Sequence, residues 1–187
     1  MPPPEKWSGE SRGSAEEEEE EVMTEDLNEN KTTGTILVAE DGDLDTLVFR
    51  KAFARAELPH TLRFVKNGKE AIDYVEGNAP YTDREHFPKP DLIVLDLSMP
   101  DVDGFYVLKW MQAPGREQTP VVVLASSDVE ADKRFALTLG ARDFRTKAPG
   151  IAALSQFLKD ACERWLKPGD NSKPASEDLQ LPGTLSE

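Results

Sequence analysis

With 187 residues, 31% of them charged, and a formal net charge of −14, the chain has room for one domain of ordinary size plus tails. The acidic balance argues against gripping the phosphate backbone of nucleic acid, which takes a basic patch to release counterions. The single cysteine, Cys162, excludes an intrachain disulfide and suits a reducing compartment, and no apolar stretch approaches the roughly 20 residues that cross a bilayer.

The N-terminus opens Pro2-Pro3-Pro4-Glu5-Lys6 and lacks the apolar core of a secretory signal. The expectation is a cytoplasmic protein that engages neither membrane nor nucleic acid. Residues 1–33 carry eleven acids, Glu16 to Glu21 in one run, against Lys6, Arg12 and Lys31. With so few apolar side chains to offset the entropy of ordering, they read as a disordered acidic tail. Its plainest role is solvation; a basic partner or self-inhibition is the alternative.

Thr35-Ile36-Leu37-Val38-Ala39 is a short β-branched apolar run that delivers Glu40 and Asp41 to its end, as a buried strand would. From Asp43, read as an N-cap, the residues Leu44, Leu47, Val48, Ala52 and Leu58 recur near helical spacing. Thr61 to Val65 suits a strand nearer the sheet edge. Asn67-Gly68-Lys69-Glu70 leads into a short helix with Ala71, Ile72 and Val75. Residues 77–90 make a connection longer than the usual two to about six.

Leu92-Ile93-Val94-Leu95-Asp96 is the pivotal stretch, an unbroken apolar run closing on one carboxylate, followed by Met99-Pro100 and Asp103-Gly104. Continuous apolar runs belong to strands buried on both faces, the habit of parallel sheets covered by helices. Phe105, Val107, Leu108 and Met111 then fit a helix that stops before Pro114-Gly115. Pro120 to Ala125 is another interior strand. Ser127 and Glu130 have capping-box spacing, with Phe135, Leu137 and Leu139 behind them and Gly140 as a stop. Ala141 to Thr146 is a more polar edge strand leading to Lys147. Ile151, Leu154, Leu158, Ala161 and Trp165 form a last apolar helical stripe, on which Cys162 reads as a packing residue. Beyond Lys167-Pro168-Gly169 the chain turns polar and reads as a disordered tail, residues 168–187.

Five alternating strands and helices over residues 34–167 predict an α/β domain: a five-stranded parallel sheet in the order 2-1-3-4-5, with helices on both faces. In that order the first and third strands meet at the switch point, where such sheets place their chemistry. Glu40 and Asp41 then lie beside Asp96, and Lys147 enters from the side. Converging carboxylates repel unless a cation joins them. Acids without cysteine or histidine are hard oxygen ligands suited to Mg²⁺. A carboxylate nucleophile, a divalent metal and a lysine are the parts needed to accept a phosphoryl group.

Ile36 to Asp41, Asp91 to Pro100 with Asp103-Gly104, Pro120 to Leu124, and Lys147 together resemble the receiver domain of two-component response regulators. The single-domain type that partners phytochrome histidine kinases is most similar in layout, its insertion matching the stretch from Pro80-Tyr81 to Pro90-Asp91. The resemblance implies a flavodoxin-like, CheY-like fold and a signalling domain rather than an enzyme. It implies that Asp96 accepts a phosphoryl group from a sensor histidine kinase, with Glu40, Asp41, Asp96 and the main-chain carbonyl of Ser98 holding Mg²⁺ and Lys147 binding the phosphate. Two departures stand out. Ala125 occupies the place of the family's switch Thr or Ser, so the hydroxyl is either absent or supplied by Ser126. Ala148 separates Lys147 from Pro149, where the family has proline directly after the lysine. Phe144 holds the place of the family's aromatic switch residue, with packing outward from an edge strand as its other reading.

Two other readings compete. Asp41-x-Asp43 and Asp43-x-Asp45-Thr46 echo haloacid-dehalogenase-type phosphatases, but the first lacks the fourth residue of that pattern and the second starts two residues late. A degenerate receiver, serving as a phosphorylation-independent binding module, finds support in Ala125. With no DNA-binding segment after residue 167, output is expected through a downstream protein partner or through the flow of phosphate from the kinase. A homodimer is expected through the fourth helix, fifth strand and fifth helix, with Phe157, Trp165 and residues 141–146 on its surface.

Overall fold

The computed structural model describes residues 34–166 apart from 115, 117, 118 and 148. The two expected tails, the Gly115 stop and the Ala148 departure lie outside the described residues. Within them the chain alternates β1 (Thr35–Ala39), α1 (Asp43–Ala56), β2 (Thr61–Val65), α2 (Gly68–Glu76), β3 (Leu92–Leu95), α3 (Gly104–Met111), β4 (Val121–Ala125), α4 (Glu130–Thr138), β5 (Asp143–Thr146) and α5 (Ile151–Trp165).

All strand pairs are parallel, and the sheet runs β2-β1-β3-β4-β5. Alternation along each interior strand divides its side chains between two layers, because successive Cβ atoms point to opposite faces. Leu37, Ala39, Ile93, Leu95, Val121 and Val123 meet α2, α3 and α4 through Tyr74, Leu108 and Ala136. Ile36, Val38, Leu92, Val94, Val122 and Leu124 meet α1 and α5 through Phe49, Ala52, Leu158 and Cys162. Apolar side chains buried this completely contribute about 1.5 to 3 kcal/mol each. This is why β1 from Ile36 onward, β3 and β4 carry only apolar residues up to their carboxyl ends.

The buried stripes of the helices differ in places from their apolar patterns. On α1 it is Phe49, Ala52 and Ala56 that are buried, while Leu44 and Leu47 face solvent. The residue before the helix is Gly42, and Asp43 is its first residue. The capping box does not form: α4 begins at Glu130 after Val129, with no side-chain cap. Residues 126–129 instead cross the sheet end as an exposed loop. On α4 Ala136 faces the core, so Phe135 and Leu137, a step of about 100° to either side, lie outward. Phe135 leans on Phe105, with ring centroids 5.1 Å apart. Phe144 does not point outward; it is buried in the same layer as Ala125.

The long connection after α2 is tied down by side chains. Arg84 donates Nη1 to the carbonyls of Tyr74 (2.8 Å) and Phe87 (3.2 Å) and Nη2 to that of Val75 (2.9 Å); those of Tyr74 and Val75 are carbonyls that the end of α2 leaves open. Tyr74, Tyr81 and Phe87 pack ring to ring at 5.0 to 6.1 Å. Asp91 then accepts the Thr35 amide at 2.7 Å, which fixes where β3 enters the sheet.

Candidate functional site

The crevice at the carboxyl ends of β1, β3 and β5 collects the charged residues that the apolar strands could not hold internally. Register places Ala39 opposite Leu95, so Glu40 and Asp96 leave adjacent strands at the same level. The Asp96 amide donates to the Ala39 carbonyl at 3.0 Å, and the Glu40 amide to that of Val65 at 3.0 Å. Both carboxylates are buried, whereas Asp41 is exposed. Glu40, Asp41 and Asp96 each offer an oxygen within 4.8 Å of the others. A set of three hard oxygen donors, one of them open to solvent, fits a divalent ion that keeps several waters.

Lys147 follows β5 directly, and its amide donates to the Ala125 carbonyl at 2.7 Å. That bond sets the side chain over the crevice. Its ammonium donates to Asp96 Oδ2 (2.7 Å), Glu40 Oε2 (2.7 Å) and Asp45 Oδ2 (2.9 Å). The second oxygens of Glu40 and Asp96 also have donors. Gly42 N–H reaches Glu40 Oε1 at 3.2 Å and Ser98 N–H reaches Asp96 Oδ1 at 3.0 Å. Burial works hardest against the Lys147 charge, yet the bonds to Asp96, Glu40 and Asp45 together hold its pKa above the ordinary lysine value. Burial raises the Glu40 carboxyl, and the Asp96 charge adds to this; the Lys147 bond opposes both without cancelling them. The lysine therefore keeps its charge at any ordinary pH, and the Glu40 carboxyl takes up a proton more readily than a free glutamate.

Two glycines keep the β3–α3 turn against the crevice. A Cβ on Gly104 would lie 2.4 Å from the Asp96 carbonyl oxygen, and one on Gly68 2.4 Å from the Val102 carbonyl oxygen. Both neighbours are backbone and cannot move aside. Ser98 starts this turn, exposed, with its amide on Asp96. Asp103 closes it by accepting the Tyr106 amide at 2.8 Å as the α3 cap.

The structure thus brings together Glu40, Asp41, Asp96, Ser98 and Lys147. Ala125 is buried at the last ladder position of β4, opposite Thr146, and Ser126 is exposed in the following loop. Phe144 lies in the core, in the same layer as Ala125. Asp43, which the phosphatase pattern would use, instead turns to Lys66 at 3.1 Å on the open surface. His60 accepts the Gly34 amide at the opposite end of β1, and His86 pairs with Asp83 in the long connection. Asp45 is the site residue that sequence reasoning missed. The sequence marked it only within the phosphatase-like Asp43-x-Asp45-Thr46 pattern and in the first turn of α1, where an acid suits the positive helix end, and neither pointed to Lys147.

Comparison with known proteins agrees with this geometry. The description of the response regulator receiver domain matches residues 36–159. Response regulator Rcp1 of Synechocystis sp. is 28% identical over 141 residues, covering 75% of this chain and 94% of Rcp1. Its Mn²⁺-bound crystal structure superimposes with a TM-score of 0.61. The phosphorylated cyanobacterial phytochrome response regulator RcpA is 32% identical, with a TM-score of 0.64 over 72% of this chain and 95% of RcpA. Response regulator RPA3017, from red light signalling in R. palustris, is also 32% identical, with a TM-score of 0.67 and the same two coverages.

Proposed function

Because the chain belongs to the family of response regulator receiver domains, we propose that it accepts a phosphoryl group on Asp96 from a sensor histidine kinase of the phytochrome-linked kind. One observation carries this reading: a buried carboxylate with one oxygen on a lysine ammonium and the other on a backbone amide, beside two further acids. An Asp96 carboxylate oxygen attacks the phosphorus of a phosphohistidine. The phosphorus–nitrogen bond breaks, and the ring nitrogen keeps the electron pair. The Ser98 amide and Lys147 fix the carboxylate's orientation beforehand. Lys147 stands ready to take a phosphoryl oxygen as negative charge moves toward Asp96. Glu40, Asp41, Asp96 and the Ser98 carbonyl would hold Mg²⁺, which when bound neutralises phosphoryl oxygens.

A binding module with no use for phosphate is the reading that Ala125 favours. Against it stand Glu40 and Asp96, buried carboxylates whose desolvation costs several kcal/mol apiece unless paired, an arrangement that packing alone does not call for. Output in our reading runs through protein contacts in the cytoplasm, including a homodimer through α4, β5 and α5. Its support is a groove of about 710 Å³ between β4–β5 and α5, flanked by half-buried Phe157 and Trp165. Among the described residues no helix is long and apolar enough to cross a membrane.

Intact mass of the protein incubated with Mg²⁺ and acetyl phosphate tests the central claim. One phosphoryl group is expected on the wild type and none on Asp96→Asn. A folded wild type that gains nothing would leave the binding module as the better account.

A further inference from the structure

Resting on the phosphoacceptor reading, we propose that Asp45 is a positioning residue: it anchors the Lys147 ammonium to α1, so that the lysine stays placed while Glu40 and Asp96 change partners. All three ammonium donors are occupied, at 2.7, 2.9 and 2.7 Å, by Glu40, Asp45 and Asp96. These three acceptors are not equivalent. Glu40 and Asp96 belong to the oxygen cluster that fits a divalent ion, and Asp96 is also the acceptor of the phosphoryl group. Asp45 belongs to neither set. It is the carboxylate that can remain on the lysine through the whole cycle.

The surroundings leave the lysine little else. Behind its stem lies a small space of about 60 Å³ lined by Asp45, Val48, Phe49, Leu124, Lys147 and Leu154. Apart from the lysine itself, Asp45 is the polar member of that lining. An ammonium released by Glu40 and Asp96 would otherwise stand against valine, phenylalanine and leucine, and an unpaired charge there is costly. Service to the helix end does not account for the contact. Asp43 shares the first turn of α1, gains from the same helix end, and spends its charge on Lys66 outside the crevice. Asp45 turns inward instead, and half of its side chain stays exposed, so the anchor is accessible from the crevice mouth.

The chemical consequence is a division of the lysine's charge. With Asp45 present, Glu40 and Asp96 share the ammonium with a third acid and are freer to hold a cation. Without it the ammonium falls wholly on those two and competes with the ion for the same oxygens. The effect of Asp45 therefore passes through Lys147, and a double-mutant cycle reads that directly.

Mg²⁺ affinity is measured by titration calorimetry on the full chain for wild type, Asp45→Asn, Lys147→Gln and the double variant, each checked for folding by circular dichroism. Asp45→Asn is isosteric and half exposed. It is expected to weaken Mg²⁺ binding about tenfold with Lys147 present, the lower end of what one charge-assisted hydrogen bond carries. With Lys147→Gln already in place the same change is expected to cost no more than about twofold. Asp45→Glu, which keeps the charge, should recover most of the affinity. Equal losses in both lysine backgrounds, or no loss in either, would overturn the proposal. The rate of phosphoryl gain from acetyl phosphate at saturating Mg²⁺ is followed in the same four proteins. A wild type that binds Mg²⁺ but gains no phosphoryl group removes the phosphoacceptor reading, while the Mg²⁺ cycle still decides the role of Asp45.

Discussion

Ala125 sets the sharpest question at the scale of single residues. It is buried at the end of β4, and its carbonyl, not its side chain, serves the site by holding the Lys147 amide. A threonine there would bring a hydroxyl toward the phosphoryl group and extra atoms into a packed layer that also contains Phe144. The two effects oppose each other in different measurements. Overpacking costs typically 1 to 3 kcal/mol, so Ala125→Thr is expected to lower the melting temperature. One charge-assisted hydrogen bond favours the phosphorylated form by roughly 1.5 to 3 kcal/mol. The ratio of phosphorylated to free protein at fixed acetyl phosphate should therefore rise about tenfold or more, read by intact mass. An unchanged ratio would mean that the hydroxyl does not reach the phosphoryl group. Phe144, for which the sequence left a switch role and outward packing from an edge strand equally open, is buried; its register partner Val123 lies in the same core layer.

The turn from β3 into α3 decides most at the scale of elements. It must bring Asp96 out of the sheet, return the chain within a few residues, and start a helix capped by Asp103. Gly104 makes that return possible, since its amide bonds the Leu97 carbonyl at 3.0 Å while a Cβ would lie 2.4 Å from the Asp96 carbonyl. Gly104→Ala is therefore expected to cost about 1 to 3 kcal/mol by urea denaturation and to slow phosphoryl gain at Asp96, because relief comes only by moving the backbone that carries the acceptor. A stability loss with unaltered phosphorylation would show that the turn positions nothing. The helices show the limit of apolar pattern at this scale. On α1 and α4 the sequence offers more apolar residues than the sheet face can take. Which of them are buried depends on how each helix is rotated against its neighbours, and spacing alone left Leu44, Leu47, Phe135 and Leu137 on the wrong side.

At the scale of the whole molecule, strand order is what makes a site from residues far apart in sequence: Lys147 bonds Glu40 107 positions away and Asp96 51 positions away. The same order leaves β5 at an edge, with the groove under α5 open beside it. If that face joins two copies, sedimentation at rising concentration should show dimer, and Trp165→Glu, which puts a charge at the groove's rim, should shift it to monomer. Monomer alone at high concentration would remove the dimer. The sequence by itself determined the alternation of strands and helices, the sheet order, and the meeting of Glu40, Asp41 and Asp96. Short unbroken apolar runs rich in β-branched residues and ending in acids suit strands buried on both faces, and right-handed crossovers leave few ways to order them. Only the tertiary structure decided that Asp45 joins Lys147, that Phe144 lies in the core, and that α4 turns its aromatic residue to solvent. Each depends on the rotation of one element against another by a fraction of a turn, a quantity fixed by packing between distant segments and written in no local pattern.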